Sequence, residues 1–495
     1  MGYSVEKGTL ILLSLLKKHG IRKIIINPGT QNMSFAISAQ QDDFFELYSC
    51  VDERSGAYMA CGMADETGEP VIITCTGATA SRNYLPAITE AFYRKLPILA
   101  ITATKEECFV GNNFSQVIDR SIQISDTYKY SVHIPTIKSD NDAWKCNLKI
   151  NKALLKLKEG GAGPVHINLE TVATSNFSTN LLPDERMIKM ITYPDPFPKL
   201  YGRKIVVFIG NHKRWEENLT EYVDQFCERF DAVVVQDLTG KYLGKYGCYV
   251  NLIAEQENYR AKILDVDLCV YLGNVSAMDA IIRPKEVWQI STDNEIKDVF
   301  RMKTTHLFCM REIDFFSRYC EGESTKGSES YYLMWQKEYE ELLEKITELP
   351  FSTGYIAQNT VGMLPDNSVV YLGIYNCLRN FNYFGGLTKK AIRYYSNTGG
   401  FGIDGGCSTL IGMSLSNPEN LYFGFIGDLG FFYDMNSIGN KHIGRNVRIM
   451  VINNGTGMEM ELYSSGVTIS KSDYGHYCSA RGHFGEKSRD IVKHF

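Results

Sequence analysis

Short apolar runs rich in β-branched residues recur along the chain, each followed by a turn of Gly, Asn, Asp or Thr and then by a stretch of helical periodicity. Because consecutive residues of each run are apolar, both faces of the predicted strand are apolar. The runs therefore predict strands of parallel sheets that helices cover on both faces. The pattern therefore predicts the α/β fold class, with three doubly wound parallel-sheet domains. The predicted strands fall into three sets: 24–26, 71–75, 98–102 and 165–169; 205–209, 232–235, 268–272 and 287–290; 369–372, 421–426 and 449–452.

Two stretches that interrupt this rhythm mark the predicted domain boundaries. Residues 175–203 contain four prolines and little periodicity, which is typical of a linker. Residues 321–350 begin with the polar sequence EGESTKGSES and continue as a Glu- and Lys-rich helix. We therefore expect domains at residues 1–180, 200–320 and 340–495, the last one short at its C-terminus.

Composition agrees with a large globular protein and narrows the classes of partner. The 495 residues are 44% hydrophobic and 22% charged, which excludes a disordered chain or a disulfide-stabilised mini-protein. The 52 Lys and Arg residues against 57 Asp and Glu residues give a net charge of −5. This balance predicts no nucleic-acid partner held by bulk charge.

The cysteines and the N-terminus favour a cytoplasmic protein that is not bound to a membrane. The 13 cysteines are scattered singly without a CxxC pair, which favours reduced and mostly buried thiols. The apolar stretch 9–16 is too short to cross a bilayer, and it predicts a core helix that ends at Gly20.

A first chemical signal lies in the third predicted domain. Gly427-Asp428-Leu429-Gly430 follows one predicted strand, and Asn453-Asn454 end the next strand, with Asn454 26 positions after Asp428. Open α/β sheets bind their ligands at the carboxyl ends of parallel strands. A carboxylate, an amide and a backbone carbonyl form the hard-oxygen set that Mg²⁺ prefers, with a diphosphate completing the coordination. The glycines let backbone N–H groups approach phosphates.

A second signal lies in the first predicted domain, where DERSGA opens a small-residue helix that leads into the strand VIITC. With these two signals the chain resembles the thiamine-diphosphate-dependent enzymes of the pyruvate-oxidase and acetolactate-synthase type. Within that family its motifs are most similar to those of the 2-succinyl-5-enolpyruvyl-6-hydroxy-3-cyclohexene-1-carboxylate synthases of menaquinone biosynthesis. The resemblance covers the first and last domains and runs through INPGT, DERSGAYMACGMA, TGATASRNYLPAITEA, ITATKEE, SQVID, GPVHINLE, SNTGGFGIDGGCST and GDLGFFYDMN.

The resemblance implies a thiamine-diphosphate-binding fold, with thiamine diphosphate and Mg²⁺ as cofactors. It implies that Glu53 hydrogen-bonds the pyrimidine ring of the cofactor and that Gln116 faces the reacting carbon, which makes these two the implied catalytic residues. Ile403 matches the apolar residue that supports the bent cofactor. The implied metal ligands are Asp428, Asn454 and the carbonyl of Thr456. The implied cofactor-binding set is Glu53, Gly77, Ile403, Gly427, Asp428, Leu429 and Asn454.

Other readings of several polar residues stay open from the sequence. Asp434 suits the N-terminus of a helix better than a metal site, and Asn453 suits a structural role. His166 lies in the middle of a predicted strand, which favours a hydrogen-bonded core histidine. His476 and His483 follow near the C-terminus, and nothing in the sequence decides whether they approach the site.

The chain departs from the menaquinone synthases at positions where these carry arginines for carboxylate substrates. Thr30 and Gln31 stand where the family has Ser-Arg, and Lys105 replaces a usual Arg. Arg379 matches an arginine on the side of the 2-oxo acid donor, but Thr398 replaces its usual companion. Because a bidentate arginine is the natural partner of a carboxylate, we expect other substrates here. The candidate substrate-binding residues are Thr30, Gln31, Lys105 and Arg379.

The expected function is a decarboxylating carboligase that takes a small-molecule 2-oxo acid and passes its acyl carbanion to an unknown acceptor. Simple decarboxylation, with a proton as the acceptor, is the alternative reaction. A non-catalytic cofactor-binding homologue is the alternative outside enzymes, suggested by the missing arginines and by only 41 residues after Asn454. An FAD-dependent oxidase is disfavoured, because Gly210 stands alone in VVFIGNH. The family also implies a homodimer or homotetramer with active sites between subunits.

Overall fold

The structure is a computed structural model that describes residues 2–200, 203–213, 215, 218–277, 281–321, 329–459, 475 and 477–482. Three sheets organise these residues, and the assigned strand pairs within them are parallel. The predicted fold class, α/β with three parallel sheets, is therefore confirmed. The chain divides into two compact units, Met1–Met190 with Thr304–Leu307 and Ile191–Lys303 with Phe308–Phe495.

The first sheet has six strands and lies in the first unit. Its strands are β1 (Lys23–Ile26), β2 (Glu46–Ser49), β3 (Val71–Cys75), β4 (Ile98–Thr104), β5 (Tyr130–Ile134) and β6 (Val165–Glu170). The helices around it are α1 (Lys7–Lys18), α2 (Met33–Gln40), α3 (Glu53–Thr67), α4 (Thr79–Asn83), α5 (Leu85–Arg94) and α6 (Asp140–Lys156). The strand order is β2-β1-β3-β4-β6-β5.

Two separate cores on the first sheet explain why its strands are continuous apolar runs. Ile24 and Ile72 pack into a cluster with residues of α1 and α6. Their neighbours Ile25 and Ile73 pack into a second cluster with residues of α3 and α5. Because successive strand residues point to opposite faces, a sheet that is covered on both sides needs apolar residues at every position.

The second sheet has seven strands. They are β7 (Lys189–Ile191), β8 (Ile205–Ile209), β9 (Val233–Gln236), β10 (Gly247–Tyr249), β11 (Asp265–Leu272), β12 (Arg283–Ser291) and β13 (Thr304–Cys309). The helices of this region are α7 (Leu219–Phe230), α8 (Asn251–Ala254) and α9 (Glu312–Cys320). The strand order is β10-β9-β8-β11-β12-β13-β7.

The third sheet carries the predicted metal-binding segments, and four strands belong to it in the described part of the chain. Its strands are β14 (Val369–Leu372), β15 (Arg393–Tyr395), β16 (Tyr422–Gly427) and β17 (Val447–Ile452). The helices are α10 (Ser330–Leu343), α11 (Thr353–Thr360), α12 (Asn376–Phe384), α13 (Gly406–Ser416) and α14 (Asp428–Tyr433). In the order β15-β14-β16-β17, the carboxyl ends of the last three strands come together at one edge.

The eleven strands that the sequence predicts are all present, whereas β2, β5, β7, β10, β13 and β15 were not expected. Most of these additional strands are short and partly exposed, as in the half-exposed β2, so that no continuous apolar run marks them. The stretch 175–203 is not a bare linker, because it contributes β7 and an isolated bridge between Thr179 and Tyr3. Helix α1 confirms the predicted first core helix, and Gly20 follows it with φ +72°.

The structure also bears on the membrane and cysteine predictions. In the part of the chain that the structure describes, no helix combines the length and the apolar character that a membrane span requires. The thirteen cysteines are free thiols, and most of them are buried.

Packing beneath the third sheet gives a test of how the site is supported. Leu410 of α13 is fully buried against β16, where a Cβ atom on Gly424 would lie only 2.7 Å from Leu410 Cδ2. We expect Leu410→Ala to lower the free energy of unfolding by about 2–5 kcal/mol, because it leaves a cavity that the neighbours fill only in part. Urea denaturation of the purified protein measures this loss. Leu415→Ala in the same helix is the matched control, since Leu415 is exposed, and an equal loss in both variants would contradict the packing argument.

Candidate functional site

A cavity of about 280 Å³ opens at the carboxyl ends of β14, β16 and β17. Its walls come from the segments that follow these strands and from the loop that precedes α13. Because parallel strands deliver their carboxyl ends to one edge, segments far apart in sequence converge here. The predicted site residues that line the cavity are Ile403, Gly427, Asp428, Leu429, Asn454 and Thr456.

Asp428 is the buried carboxylate of this cavity. It is the first residue of α14 and is only 2% exposed. Its Oδ2 accepts a hydrogen bond from the backbone N–H of Gly455 at 3.1 Å. Burial raises the pKa of the Asp428 carboxyl, and the backbone N–H groups that surround it only partly oppose this rise. A bound cation would stabilise the charged form of such a carboxylate.

The turn after β17 brings further oxygen atoms into the same cavity. Asn454 Oδ1 accepts a hydrogen bond from the backbone N–H of Thr456 at 3.2 Å. Gly455, between Asn454 and Thr456, adopts φ +70°. The hydroxyl of Thr456 donates a hydrogen bond to the carbonyl of Ser479 at 3.3 Å. Asn453 is exposed and does not belong to the cavity lining. Carboxylate, amide and carbonyl oxygens in one cavity fit Mg²⁺, which also coordinates diphosphate oxygens.

Ile403 lies in the loop before α13, and its exposed fraction is 37% in the cavity wall. This loop packs tightly on α14, because a Cβ atom on Gly430 would lie 3.0 Å from the carbonyl oxygen of Ile403. Asp434 holds the start of α13 by accepting hydrogen bonds from the N–H and the hydroxyl of Ser408, both at 2.6 Å. Asp434 itself follows the last residue of α14, so the acid interacts with the first turn of α13 and not with the start of a helix of its own.

Glu53 begins α3 in the first unit. Its side chain is half-buried, and Asn83 Nδ2 donates a weak hydrogen bond to Glu53 Oε2 at 3.4 Å. Asp52 caps the helix by accepting a hydrogen bond from the N–H of Ser55 at 2.8 Å. The cap fixes the first turn of α3 and hence the position of the Glu53 backbone.

Gly77 and Gln116 lie beside each other in the same unit. A Cβ atom on Gly77 would come within 3.1 Å of the Gln116 carbonyl oxygen, so a larger residue there would push the two loops apart. Gln116 is exposed and adopts φ +61°, a conformation that favours glycine. Such backbone strain is found most often at functional sites.

The predicted substrate residues of the first unit have different surroundings. Gln31 Nε2 donates to the Thr171 carbonyl at 2.5 Å and to the Thr171 hydroxyl at 2.9 Å, so this amide ties two loops together. Lys105 Nζ lies 3.4 Å from the carbonyl of Ser115, and Thr30 is exposed. Gln31 thus stabilises the loops rather than presenting its amide to a ligand.

Arg379 forms an ion pair that the sequence does not indicate. Its Nη1 and Nη2 each lie 3.0 Å from an oxygen of Glu459, in the bidentate geometry of arginine and carboxylate. This hydrogen bonding raises the pKa of the Arg379 guanidinium. Glu459 lines the cavity, whereas Arg379 does not belong to the cavity lining. Glu459 follows Asn454 by only five residues, but nothing in the sequence shows that it pairs with an arginine 80 residues away.

Thr398 is buried and does not belong to the cavity lining. It is 1% exposed, accepts a hydrogen bond from Asn211 Nδ2 at 2.7 Å and donates to the carbonyl of Val275 at 2.9 Å. The position of the missing arginine is thus a contact between the loop before α13 and the loops after β8 and β11.

His166 is a core residue, as its place in a strand predicted. Its Nε2 lies 2.7 Å from Thr102 Oγ1 and its Nδ1 lies 2.8 Å from Ser131 Oγ. Burial lowers the pKa of His166 to about 3, so the ring is neutral at physiological pH. His476 and His483 lie outside the described residues.

The Thr398 contact can be tested by a change of similar shape. We expect Thr398→Val to lower the free energy of unfolding by about 1–3 kcal/mol, because it removes the two hydrogen bonds of a buried hydroxyl, one from Asn211 Nδ2 and one to the Val275 carbonyl. The urea midpoint measures this loss. The matched control is Thr347→Val, since Thr347 is exposed. A midpoint for Thr398→Val that is as high as the midpoint of the control would show that the contact contributes little.

Comparisons with known proteins agree with this picture. Residues 6–123 match the family described as thiamine pyrophosphate enzyme, N-terminal TPP binding domain. A protein of Bacteroides fragilis named 2-succinyl-5-enolpyruvyl-6-hydroxy-3-cyclohexene-1-carboxylate synthase is 29% identical over 478 residues, which cover 92% of this chain and 84% of that protein. Proteins of the same name from Phocaeicola vulgatus and Flavobacterium johnsoniae are 28% and 26% identical, over 99% and 90% of this chain and 91% and 83% of theirs. These similarities confirm the resemblance: the chain is related to the thiamine-diphosphate-dependent enzymes and, among them, to these synthases.

Proposed function

We propose that this protein is a thiamine-diphosphate- and Mg²⁺-dependent enzyme that decarboxylates a 2-oxo acid and transfers the acyl carbanion to an acceptor. The observation that carries the proposal is the convergence of Asp428, Asn454, Thr456 and Ile403 on one cavity. The synthase names of the relatives favour transfer to an acceptor over simple decarboxylation. The free thiols support a reducing, cytoplasmic compartment.

Different residues of the cavity would bind different parts of the cofactor. Asp428 and Asn454 would bind Mg²⁺ through their side-chain oxygens, and Thr456 would bind it through its carbonyl. The backbone of Gly427 and Leu429 lies in the same wall and would contact the diphosphate. Bound thiamine diphosphate supplies the electron sink for decarboxylation. Ile403, in the apolar part of the wall, would contact the bent cofactor.

The first unit supplies the acid–base function. Glu53 would hydrogen-bond the pyrimidine ring and hold a proton there, so that the ring and its amino group take the reactive tautomer. Gln116 would orient the reacting group of the substrate, and its strained backbone beside Gly77 supports a fixed position for that side chain.

Glu53→Gln tests the assignment of the acid. We expect the variant to bind thiamine diphosphate and Mg²⁺ in calorimetry with an affinity close to that of the wild type, but to release CO₂ from a 2-oxo acid at least about a hundredfold more slowly, because an amide cannot exchange the proton. Glu66→Gln, at an exposed position of the same helix, should retain full activity.

The outcomes separate the alternatives. Near-normal turnover of Glu53→Gln would overturn the role of Glu53. Cofactor binding without CO₂ release from any 2-oxo acid would favour a non-catalytic homologue, and an aldehyde as the only product would favour simple decarboxylation. If Asp428→Asn binds Mg²⁺ and thiamine diphosphate as well as the wild type, the metal site is wrong.

We further propose a homodimer or homotetramer with the active sites between subunits. Apolar side chains surround the start of α3, where Val51 is 84% exposed and Tyr58 and Met59 are nearly half exposed. Exposed apolar patches of this kind mark protein–protein interfaces. The patch includes the turn that carries Glu53, which supports a site completed by a second subunit.

Light scattering tests the oligomer. We expect a mass of at least twice the 56.0 kDa of one chain. Tyr58→Asp should shift the protein towards the monomer, because it buries a charge in the interface. Leu181→Asp is the control, since Leu181 is 82% exposed and does not belong to α3, and it should leave the mass unchanged. A monomeric wild type would contradict the proposed assembly.

A further inference from the structure

We propose that Glu459 is a specificity-determining residue that occupies the carboxylate-binding face of Arg379, so that the site accepts 2-oxo acids with a neutral side chain and rejects those with a second carboxylate. This inference rests on the proposed function. It starts from the ion pair between Arg379 and Glu459 and adds the charge of the cavity around it.

The geometry of the ion pair leaves Arg379 little capacity for a ligand. The two terminal nitrogens of the guanidinium each contact a different oxygen of Glu459 at 3.0 Å. This is the geometry by which an arginine would bind a substrate carboxylate. The side chains of Glu459 and Arg379 are 15% and 31% exposed, so the pair is only partly screened by water.

A second carboxylate lies close to the same guanidinium. Glu255 adds to the rise in the pKa of Arg379, and it accepts a hydrogen bond from the Tyr383 hydroxyl at 2.5 Å. Asn251 Nδ2 donates to the other oxygen of Glu255 at 2.8 Å. The charge of Arg379 is therefore balanced within the protein before any substrate arrives.

The cavity itself presents negative charge. Among its described lining residues the charged groups are the carboxylates of Asp428 and Glu459, with no Lys, Arg or His in the lining. If Asp428 binds Mg²⁺, the remaining carboxylate of the lining, Glu459, is already paired with Arg379. Much of the remaining wall is apolar and includes Ile374, Leu429 and Met458. A second carboxylate on the substrate would meet repulsion and desolvation without a cation to offset them.

The position of Glu459 links specificity to the cofactor site. It lies in the segment that follows β17, only three residues after Thr456. Asn454 and Thr456 fix the start of this segment by their mutual hydrogen bond. The turn that offers ligands to the metal therefore also places the carboxylate that neutralises Arg379.

The test compares dicarboxylate and monocarboxylate ligands on protein loaded with thiamine diphosphate and Mg²⁺. Calorimetry measures binding of glutarate and butyrate, which are unreactive analogues, and CO₂ release measures the KM for 2-oxoglutarate and pyruvate. We expect the wild type to favour butyrate and pyruvate. Glu459→Gln should strengthen glutarate binding, and lower the KM for 2-oxoglutarate, by about tenfold to a hundredfold, because it frees one charged hydrogen-bonding face.

The double variant Glu459→Gln with Arg379→Gln is the matched control. It should lose the gain for glutarate, since the gain requires the freed guanidinium. A wild type that binds glutarate as tightly as Glu459→Gln does, or a gain that survives in the double variant, would overturn the inference. If Glu459→Gln no longer retains the cofactor, the preference of the wild type decides: preference for glutarate over butyrate overturns the inference. Failure of the wild type to bind thiamine diphosphate would instead overturn the proposed function.

Discussion

The burial of the Asp428 carboxylate is the constraint on which the site depends. Removing a charge from water costs free energy unless hydrogen bonds or a counter-ion offset it. Here the fold supplies the backbone N–H of Gly455, and the raised pKa shows that this offset is incomplete. Under the proposed function a cation would complete this offset, and the parallel arrangement of β14, β16 and β17 brings further oxygen atoms to the same edge.

Packing around this carboxylate joins segments that are distant in sequence. The loop of Ile403 rests on Gly430 of α14, and Asp434, which follows α14, holds the start of α13. The same α13 packs Leu410 under β16. The position of Asp428 thus depends on the packing of α13 against β16 and not only on the turn that carries this residue.

The sequence predicts the features that depend on neighbouring residues, and it does not predict contacts between residues that are far apart along the chain. The strands next to the site are continuous apolar runs, and Asp428 and Asn454 lie just after two of them, so the strands and the polar residues at their carboxyl ends can be predicted from local pattern. The pairs Arg379–Glu459, Gln31–Thr171 and Asn211–Thr398 cannot, because each joins residues that are far apart along the chain. The short strand β2 is not predicted from the sequence, because its half-exposed residues form no apolar run.

These three pairs have one feature in common at the positions where the resemblance implies substrate-binding arginines. At Gln31 and at Thr398 the replacement side chain is bonded to another loop, and at Arg379 the retained arginine is bonded to Glu459. The resemblance implies carboxylate-binding arginines at these positions, whereas in this chain the side chains present there are bonded within the protein. An arginine restored at position 31 or 398 would first have to break that internal contact and find room in a packed loop, at a cost in stability. Under the proposed function, the expected change in substrate class therefore involves several loops, and Glu459 is the position where one substitution would release an existing arginine.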